Sequence, residues 1–323
     1  MTIDRPTSEY PFPLPHDTYR VSANVEEAGV ERTTEAGAWG ATILHVGDDH
    51  PAVVDQRRAI LDREPRRFVA ASHARAASWD AMLWLLDRIA RERPAEASLE
   101  RDGSRYRWRN ARLGVTQDFV VGDDASLPEH PLRFAGRQVE EDAVVLGARD
   151  DRLWLDAGLV VFASVWSVGF DAGMSFAELH RPVPGEAAQR VFARAERFLL
   201  GRGPGEVWRR LNWGLQLDDR PDLSLDAFRA WGARRAALDV ADPGREVHLR
   251  TEVQHLVRLP LTDSVLFLIG VRLLPLTQVA LVPAWAARLA SVLETLTPET
   301  RAYKELDELG PLTAAWLRSQ APT

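Results

Sequence analysis

One twelve-residue segment, Val247–Arg258, alternates between apolar and polar side chains and constrains the fold of this 323-residue chain more than any other feature. Successive side chains of a β-strand point to opposite faces, so this alternation predicts a strand with one apolar and one polar face. A second strand is predicted a few residues later, at 265–272. The polar face of the first strand carries His248, Arg250, Glu252, Gln254 and Arg258, interrupted by Leu256.

Helical patterns occupy both ends of the chain. Residues 52–65 and 77–94 carry apolar side chains at helical spacing, and each segment ends at a proline. Further helices are predicted at residues 187–200 and 281–296. In the second helix one apolar stripe is interpreted as helix core, and it comprises Trp79, Met82, Leu83, Leu86 and Ile89.

Short alternating runs in the middle of the chain predict an antiparallel meander. They lie at residues 106–111, 142–148, 152–158 and 160–166, with a hairpin turn at 149–151. Strands therefore follow strands instead of alternating with helices, which disfavours a doubly wound parallel sheet. The predicted fold class is α+β, an antiparallel sheet flanked by N- and C-terminal helices.

The N-terminal segment is rich in Pro and Thr and has weak periodicity. Residues 1–40 are therefore predicted to form an extended arm that wraps the domain. Residues 41–323 are predicted to form a single domain with helical flanks. A chain of this length can bury a sizeable core.

The absence of cysteine excludes more chemistry than any other compositional fact. Disulfides, cysteine zinc sites, iron–sulfur clusters and thiolate-ligated heme are all excluded, so any metal must be bound by histidine, carboxylate, tyrosine or methionine. No phosphate loop or nucleophile elbow is present. The glycines at residues 201–205 do not follow a convincing strand, so we expect no dinucleotide site there.

Charge and hydropathy favour small-molecule partners. The formal net charge of −7 gives no reason to expect nucleic acid or an anionic membrane as a partner. No apolar run approaches the ~20 residues that span a bilayer. The N-terminus lacks the basic start and apolar run of a signal peptide, which is compatible with a cytoplasmic location.

The polar face of Val247–Arg258 has two interpretations. Antiparallel sheets often present one side to water, so the face could simply be solvated. Alternatively, it could form the floor of a pocket. In that case its arginines would neutralise ligand carboxylates, and Glu252 would accept hydrogen bonds from a cationic or polar group.

Five sequence blocks, in matching order along most of the chain, resemble the heme-dependent oxidative N-demethylase family. One of them is RTEVQHLVRLP, which begins at Arg250, and the five together are far more specific than any one alone. RRLNWGLQLDDRPDL resembles the family's Arg-x-Asn-Trp stretch, ELHRPVPG its Ile-His-x-Pro-Val-Pro-Gly stretch, and LTPETRAYKELD its closing Tyr-Lys segment. YPFPLP near the N-terminus also matches.

The resemblance implies a PAS-like heme domain that binds heme b and uses O2 to hydroxylate an N-methyl group of a small methylated amine, releasing formaldehyde. Electrons would come from NADPH through a partner reductase that carries FMN and an iron–sulfur centre. The lack of cysteine and of a dinucleotide fingerprint requires those centres to lie on another chain. A homo-oligomer is compatible with this interpretation.

The resemblance also implies an axial heme ligand. His180 in LHRPVPG matches the family histidine, and neutral imidazole is a common ligand of heme iron. A capping or packing histidine before a proline turn is the alternative. His255 has odd parity in its strand and is predicted to be a packing residue.

The same resemblance implies roles for the polar row, the side chains on the polar face of Val247–Arg258. Glu252 is expected to orient a protonated amine or to relay protons to bound oxygen, with Gln254 as a second catalytic residue. Trp213 would form an apolar or cation–π wall, although a buried structural tryptophan is an alternative. The remaining heme-binding residues implied are Arg250 and Arg258, which would face the propionates, and Asn212.

Two stretches depart from the family pattern. SVGFDAGMS stands where a lysine is expected, and IGVRLL stands where Arg-Thr-Tyr is expected. The substrate pocket or the partner surface can therefore differ. A PAS-like sensor that binds heme or another ligand without turnover, and a ligand-binding protein without heme, remain as alternatives.

Overall fold

The computed structural model describes residues 7–238 and 240–320. The first six residues of the predicted arm, residue 239 and the last three residues lie outside the described part. The described chain is α+β with antiparallel sheets, as predicted. Its strands are β1 Glu26–Glu27, β2 Arg32–Thr33, β3 Ala38–Trp39, β4 Phe68–Ala70, β5 Ala97–Asp102, β6 Arg105–Asn110, β7 Val115–Val120, β8 Asp142–Arg149, β9 Arg152–Leu159, β10 Val207–Leu217, β11 Val247–Arg258 and β12 Val265–Pro275.

The largest sheet positions the functional residues. It contains seven strands in the order β1-β10-β11-β12-β8-β9-β4. Strands β5, β6 and β7 form a separate three-stranded sheet, and β2 pairs with β3. The predicted strand at 247–258 is confirmed, and the strand predicted at 265–272 extends to Pro275.

Helices flank the large sheet, and the four predicted helical segments are confirmed with boundary shifts of a few residues. None of the described helices is long and apolar enough to cross a membrane. The helices are α1 His50–Arg63, α2 Arg75–Glu92, α3 Pro131–Gly136, α4 Val168–Asp171, α5 Phe176–Leu179, α6 Glu186–Leu200, α7 Phe228–Ala237, α8 Pro243–Glu246, α9 Leu276–Ala280, α10 Pro283–Thr295, α11 Pro298–Tyr303 and α12 Leu309–Ser319.

Strand β11 is buried along its whole length, and β10 and β12 pair with it from end to end. All twelve of its residues are buried. In the polar row, the exposed fraction ranges from 2% for Arg250 to 9% for Arg258. The row therefore does not face bulk water, which excludes the interpretation of a solvated face.

Different helices cover the two faces of β11. On the even-numbered face, Leu256 belongs to one apolar cluster with Phe176 of α5 and Phe198 of α6. On the odd-numbered face, Leu249 belongs to a cluster with Trp285 of α10. The even-numbered face is therefore covered, at Leu256, by the two helices that lie on either side of His180 in the sequence.

Residues 10–12 of the N-terminal segment pack on the odd-numbered face. The Tyr10 hydroxyl donates a hydrogen bond to the carbonyl oxygen of Leu249 at 2.8 Å. Phe12 stacks on Trp285 with ring centroids 4.7 Å apart. These contacts connect residues near the chain start to the centre of the sheet and to a C-terminal helix.

The strand predicted at residues 160–166 is wrong, because β9 ends at Leu159. The Asp142 carboxylate accepts hydrogen bonds from the backbone N–H groups of Val161 and Phe162 at 2.7 and 2.9 Å. These N–H groups are bound by a side chain instead of a neighbouring strand, so the chain leaves the sheet here. Apolar alternation alone does not reveal this side-chain partner.

The single meander predicted across residues 106–166 is also wrong in its connectivity. Its first run, 106–111, lies in β6 of the separate β5–β7 sheet, and only the runs that form β8 and β9 join the large sheet. The helix α3 lies between the two groups of strands. The predicted hairpin turn at 149–151 is confirmed, with Asp150 at φ 53° and Asp151 at φ 55°, the left-handed conformations that such tight turns require.

Asp142→Asn is expected to destabilise the protein by about 3 kcal/mol or more. The Asp142 carboxylate lies 2.7 Å from Nη1 of Arg57, and both side chains are 1% exposed or less. Removing the negative charge leaves a buried guanidinium without its counter-ion. Urea unfolding measures the effect. Breaking the exposed Asp87–Arg91 pair with Asp87→Asn is the control, and we expect a change of less than about 1 kcal/mol there. Equal effects of the two variants would contradict the role of Asp142 as the counter-ion of the buried Arg57.

Candidate functional site

The pairing of β10 with β11 brings four polar side chains together. Arg210 lies opposite Gln254, and Asn212 lies opposite Glu252. Oε2 of Glu252 accepts hydrogen bonds from Asn212 Nδ2 at 3.2 Å and from Gln254 Nε2 at 3.0 Å. Arg210 Nη1 donates to Gln254 Oε1 at 2.6 Å. The two strands thus form one connected network around the Glu252 carboxylate.

Arg250 anchors one end of this network. Its Nε donates to Oε1 of Glu252 at 3.3 Å. Its other three hydrogen bonds reach the Gln216 side chain at 3.2 Å, Pro221 O at 2.9 Å and Phe162 O at 2.5 Å. A guanidinium has five N–H donors, so little of Arg250 is left for a ligand carboxylate. This arrangement fits an anchoring residue better than a contact to a heme propionate.

Lys304 lies at the edge of the network. Its Nζ donates to the carbonyl oxygen of Trp213 at 2.8 Å and lies 4.7 Å from the centre of the Trp213 ring. The pKa of Lys304 is lowered to about 8, mainly by burial; the charge of Glu252 opposes this shift and the charge of Arg210 adds to it. An amine with this pKa exchanges protons near neutral pH.

Trp213 does not share a face with Asn212. In the register of β10 it lies opposite Thr251, on the odd-numbered side of β11, where it joins the apolar cluster of Leu249. Tyr19 contacts the Trp213 ring edge-on, at a centroid distance of 6.3 Å. This position fits the alternative of a buried structural tryptophan. Nζ of Lys304 lies over its ring.

His180 lies directly after α5 and is held by its ring contacts and one hydrogen bond. The ring lies between Phe176 and Phe192, with centroids 4.2 Å from each. Nδ1 lies 2.7 Å from the carbonyl oxygen of Phe176, which fixes Nδ1 as the protonated nitrogen. The pKa of His180 is lowered to about 4, because burial and, to a smaller extent, the charge of Arg210 lower it by more than the hydrogen bond to Phe176 raises it. His180 is therefore a neutral imidazole within electrostatic reach of the polar network.

A model of the family described as haem-dependent oxidative N-demethylase, alpha subunit-like, matches residues 37–313. The chain belongs to this family. The match includes the segments that carry His180, Arg210, Glu252 and Lys304, so the N-demethylase resemblance seen in the sequence is confirmed. The residue roles inferred from that resemblance are separate claims, which depend on the geometry.

Two side chains of this N-demethylase-like chain, His180 and Arg258, have the chemistry needed to bind a heme. With Nδ1 of His180 bonded to a carbonyl oxygen, Nε2 carries the lone pair, the arrangement found for metal-bound histidines. Arg258 supplies a complementary cation, since its Nε and Nη1 are buried without a hydrogen-bond partner in the described residues. Its Nη2 lies 3.5 Å from Asp263, a residue whose side chain is 73% exposed. A propionate would satisfy these donors.

His255 lies on the opposite face of the sheet from the polar row. It is 2% exposed, and neither ring nitrogen has a hydrogen-bond partner among the described residues. Its pKa is lowered to about 3, first by burial and then by the charges of Arg209, Arg272 and Arg88. A cavity of about 60 Å³ lies beside it. This placement matches the parity argument from the sequence, and a packing role for His255 stays a prediction.

The free energy of unfolding is expected to fall as pH decreases below about 6.5. The pKa of His255 is about 3 in the folded protein against an ordinary value of 6.5, so only the unfolded chain binds its proton between these values. Stability then decreases by up to ~1.4 kcal/mol per pH unit for each such histidine, and His180 contributes as well. Urea unfolding at several pH values across this interval measures the effect. The free energy of unfolding should change less steeply with pH in His255→Leu than in the wild-type chain. The exposed His16 offers the control His16→Gln, and equal slopes in all three proteins would contradict the prediction.

Two members of the site were not singled out from the sequence. Arg210 and Lys304 lay inside the matched blocks, but neither was assigned a role. Arg210 could have been found from parity, because it shares the face of Asn212 on a neighbouring strand. Lys304 comes from a distant helix end, and only the Tyr-Lys match to the family pointed to it.

Proposed function

We propose that this chain is the heme-binding subunit of an enzyme that oxidatively N-demethylates a small methylated amine, on a PAS-like domain. One observation carries the proposal: the charge of Arg210 reaches His180, while Arg210 also bonds to the network around Glu252. A neutral imidazole and the polar network around Glu252 therefore lie close enough for their charges to interact. The family match supports the oxidative chemistry.

Heme b, bound through Nε2 of His180 and by Arg258 at a propionate, would supply the activation of O2. The overall reaction converts one N-methyl amine, one O2, two electrons and two protons into the demethylated amine, formaldehyde and water. Hydroxylation of the methyl carbon gives a carbinolamine, whose C–N bond then breaks. The protein's tasks are to orient the amine, exclude water and deliver protons.

Glu252 is the residue proposed to orient the amine. Small alkylamines are protonated near neutral pH, as the ordinary lysine pKa of ~10.4 indicates, and a carboxylate is their natural partner. Asn212, Gln254 and Arg250 hold both oxygens of Glu252, so the carboxylate is fixed in direction. Nζ of Lys304, with a pKa of about 8, is placed to take up and return protons at the edge of this network.

The enzyme is expected to depend on a separate reductase. The chain has no cysteine and therefore no iron–sulfur centre of its own. The heme-loaded chain with NADPH and dimethylamine should release no formaldehyde, and adding a flavin and iron–sulfur reductase should start release. Turnover by the isolated chain would defeat the reductase dependence. Heme binding without turnover of dimethylamine, trimethylamine or methylamine, even with reductase, would favour the sensor instead.

A further inference from the structure

A second cluster of metal-ligating side chains lies away from His180. His45, Asp49 and Glu140 each place one ligand atom so that these atoms all lie within 4.8 Å of one another. His45 and Asp49 belong to the loop before α1, and Glu140 lies just before β8. Ligands bound at about 2.0–2.2 Å to one ion are separated by distances within this limit.

The loop is built so that these side chains can approach each other. A Cβ atom at Gly47 would lie 2.8 Å from Oδ1 of Asp49 and 3.1 Å from Nε2 of His45, so a larger residue would obstruct both ligands. Arg93 Nη2 donates to the carbonyl oxygen of Val46 at 3.1 Å. Arg112 Nη2 donates to the carbonyl oxygen of Gly47 at 2.6 Å. The side chains of Arg93 and Arg112 therefore hold the loop in this conformation through its backbone carbonyl groups.

The third ligand has its own supporting contact. Glu140 is 4% exposed, and its Oε1 lies 3.0 Å from Nδ1 of the equally buried His50. A neighbour of this kind fixes the orientation of a ligating carboxylate, and such outer contacts are usual around protein metal ions. On the other side, the backbone N–H of His45 donates to Oε1 of Glu141 at 2.9 Å. Both polypeptide segments of the cluster are thus positioned independently of any ion.

We propose that His45, Asp49 and Glu140 bind a divalent transition-metal ion of the Zn²⁺ class. One imidazole and two carboxylates form a ligand set that suits such an ion, and they favour it over Mg²⁺, which prefers oxygen ligands alone. The ion would fasten the loop before α1 to the start of β8. This site does not depend on the proposed function, because it shares no residue with the His180 region.

The proposed metal site adjoins the cavity beside His255, on the odd-numbered face of β11. The loop residues Thr42, Ile43 and Leu44 line the cavity beside His255, and His45 lines it as well. Fixing His45 to an ion therefore stabilises one wall of that cavity. The ion is expected to act on stability, with no direct contact to the heme region.

Zinc binding by the full chain, freed of metal with a chelator, tests the proposal. Calorimetric titration with Zn²⁺ should show one site, and saturating Zn²⁺ should raise the melting temperature by several degrees. His45→Ala and Asp49→Asn alter partly exposed residues, so both variants should fold. Each is expected to weaken Zn²⁺ binding at least ~10-fold and to remove the rise in melting temperature. Mg²⁺ should produce neither effect in the wild-type chain.

Two histidine variants locate the bound ion. His73→Ala removes a histidine whose side chain is 59% exposed and lies 3.1 Å from Asp156, and His180→Ala removes the proposed heme ligand. Both should bind Zn²⁺ like the wild-type chain. Zinc binding that survives His45→Ala and Asp49→Asn, or that is lost in His180→Ala or His73→Ala, would overturn the proposal. So would the absence of a rise in melting temperature in the wild type.

Discussion

Replacing His180 with alanine is expected to abolish the heme Soret band or to shift it strongly. Nε2 of this neutral imidazole is the proposed iron ligand, and its Nδ1 is fixed by the carbonyl oxygen of Phe176. The ring is only partly buried at the end of a short helix, so the variant should keep its fold. Heme titration of the apo protein followed by absorption measures the effect, with circular dichroism as the check on folding.

His255→Ala is the matched control for the ligand assignment. This side chain is more deeply buried but lies on the other face of the sheet, so its loss should reduce stability and leave the Soret band unchanged. Added imidazole should restore a band in His180→Gly, since a free imidazole can occupy the vacated position. An unchanged band in His180→Ala with a lost band in His255→Ala would transfer the ligand to His255 and move the heme to the odd-numbered face.

Glu252→Gln is expected to lower formaldehyde release about 100-fold, the scale of a lost acid or base, while heme content stays the same. Glutamine keeps the shape of the side chain and removes its charge, so the amine loses its counter-ion. The charge of Glu252 also raises the pKa of Lys304. The pKa of Lys304 should therefore fall further below 8 in the variant, and any limb of the pH–rate profile that reports Lys304 should move to lower pH.

His248→Gln provides a control on the same strand face. His248 is 5% exposed, as buried as Gln254, but its Nδ1 lies 3.3 Å from the Glu246 backbone oxygen, outside the network around Glu252. Turnover in this variant should stay within a few-fold of the wild type. Equal losses in both variants would show that any change in the row disturbs the protein, and full activity of Glu252→Gln would remove Glu252 from the reaction.

The strand alternation was sufficient to predict β11 and the two faces of its side chains. Period-two alternation fixes parity, and parity correctly separated Glu252 and Gln254 from His255. The alternation could not decide whether the polar face was exposed to solvent. Polar side chains that bond to one another, as Gln254 and Arg210 do, give the same pattern as side chains that bond to water.

Other features depended on partners far apart in sequence. Residues 160–166 have the apolar pattern of a strand, yet Asp142 binds two of their backbone N–H groups. Lys304 reaches the edge of β10 from the end of α11, a contact between residues 91 positions apart. Neither contact leaves a local periodicity, so only the folded chain shows them.

Amine binding to the heme-loaded protein tests most directly whether His180 and Glu252 belong to one site. Titration with dimethylamine should shift the Soret band in a saturable manner in the wild-type chain. In Glu252→Gln the shift should require far more amine, about 10-fold or higher, since a carboxylate partner is lost. A wild-type Soret band that no methylated amine perturbs, or the same amine dependence in Glu252→Gln, would contradict a shared site for the heme and the amine.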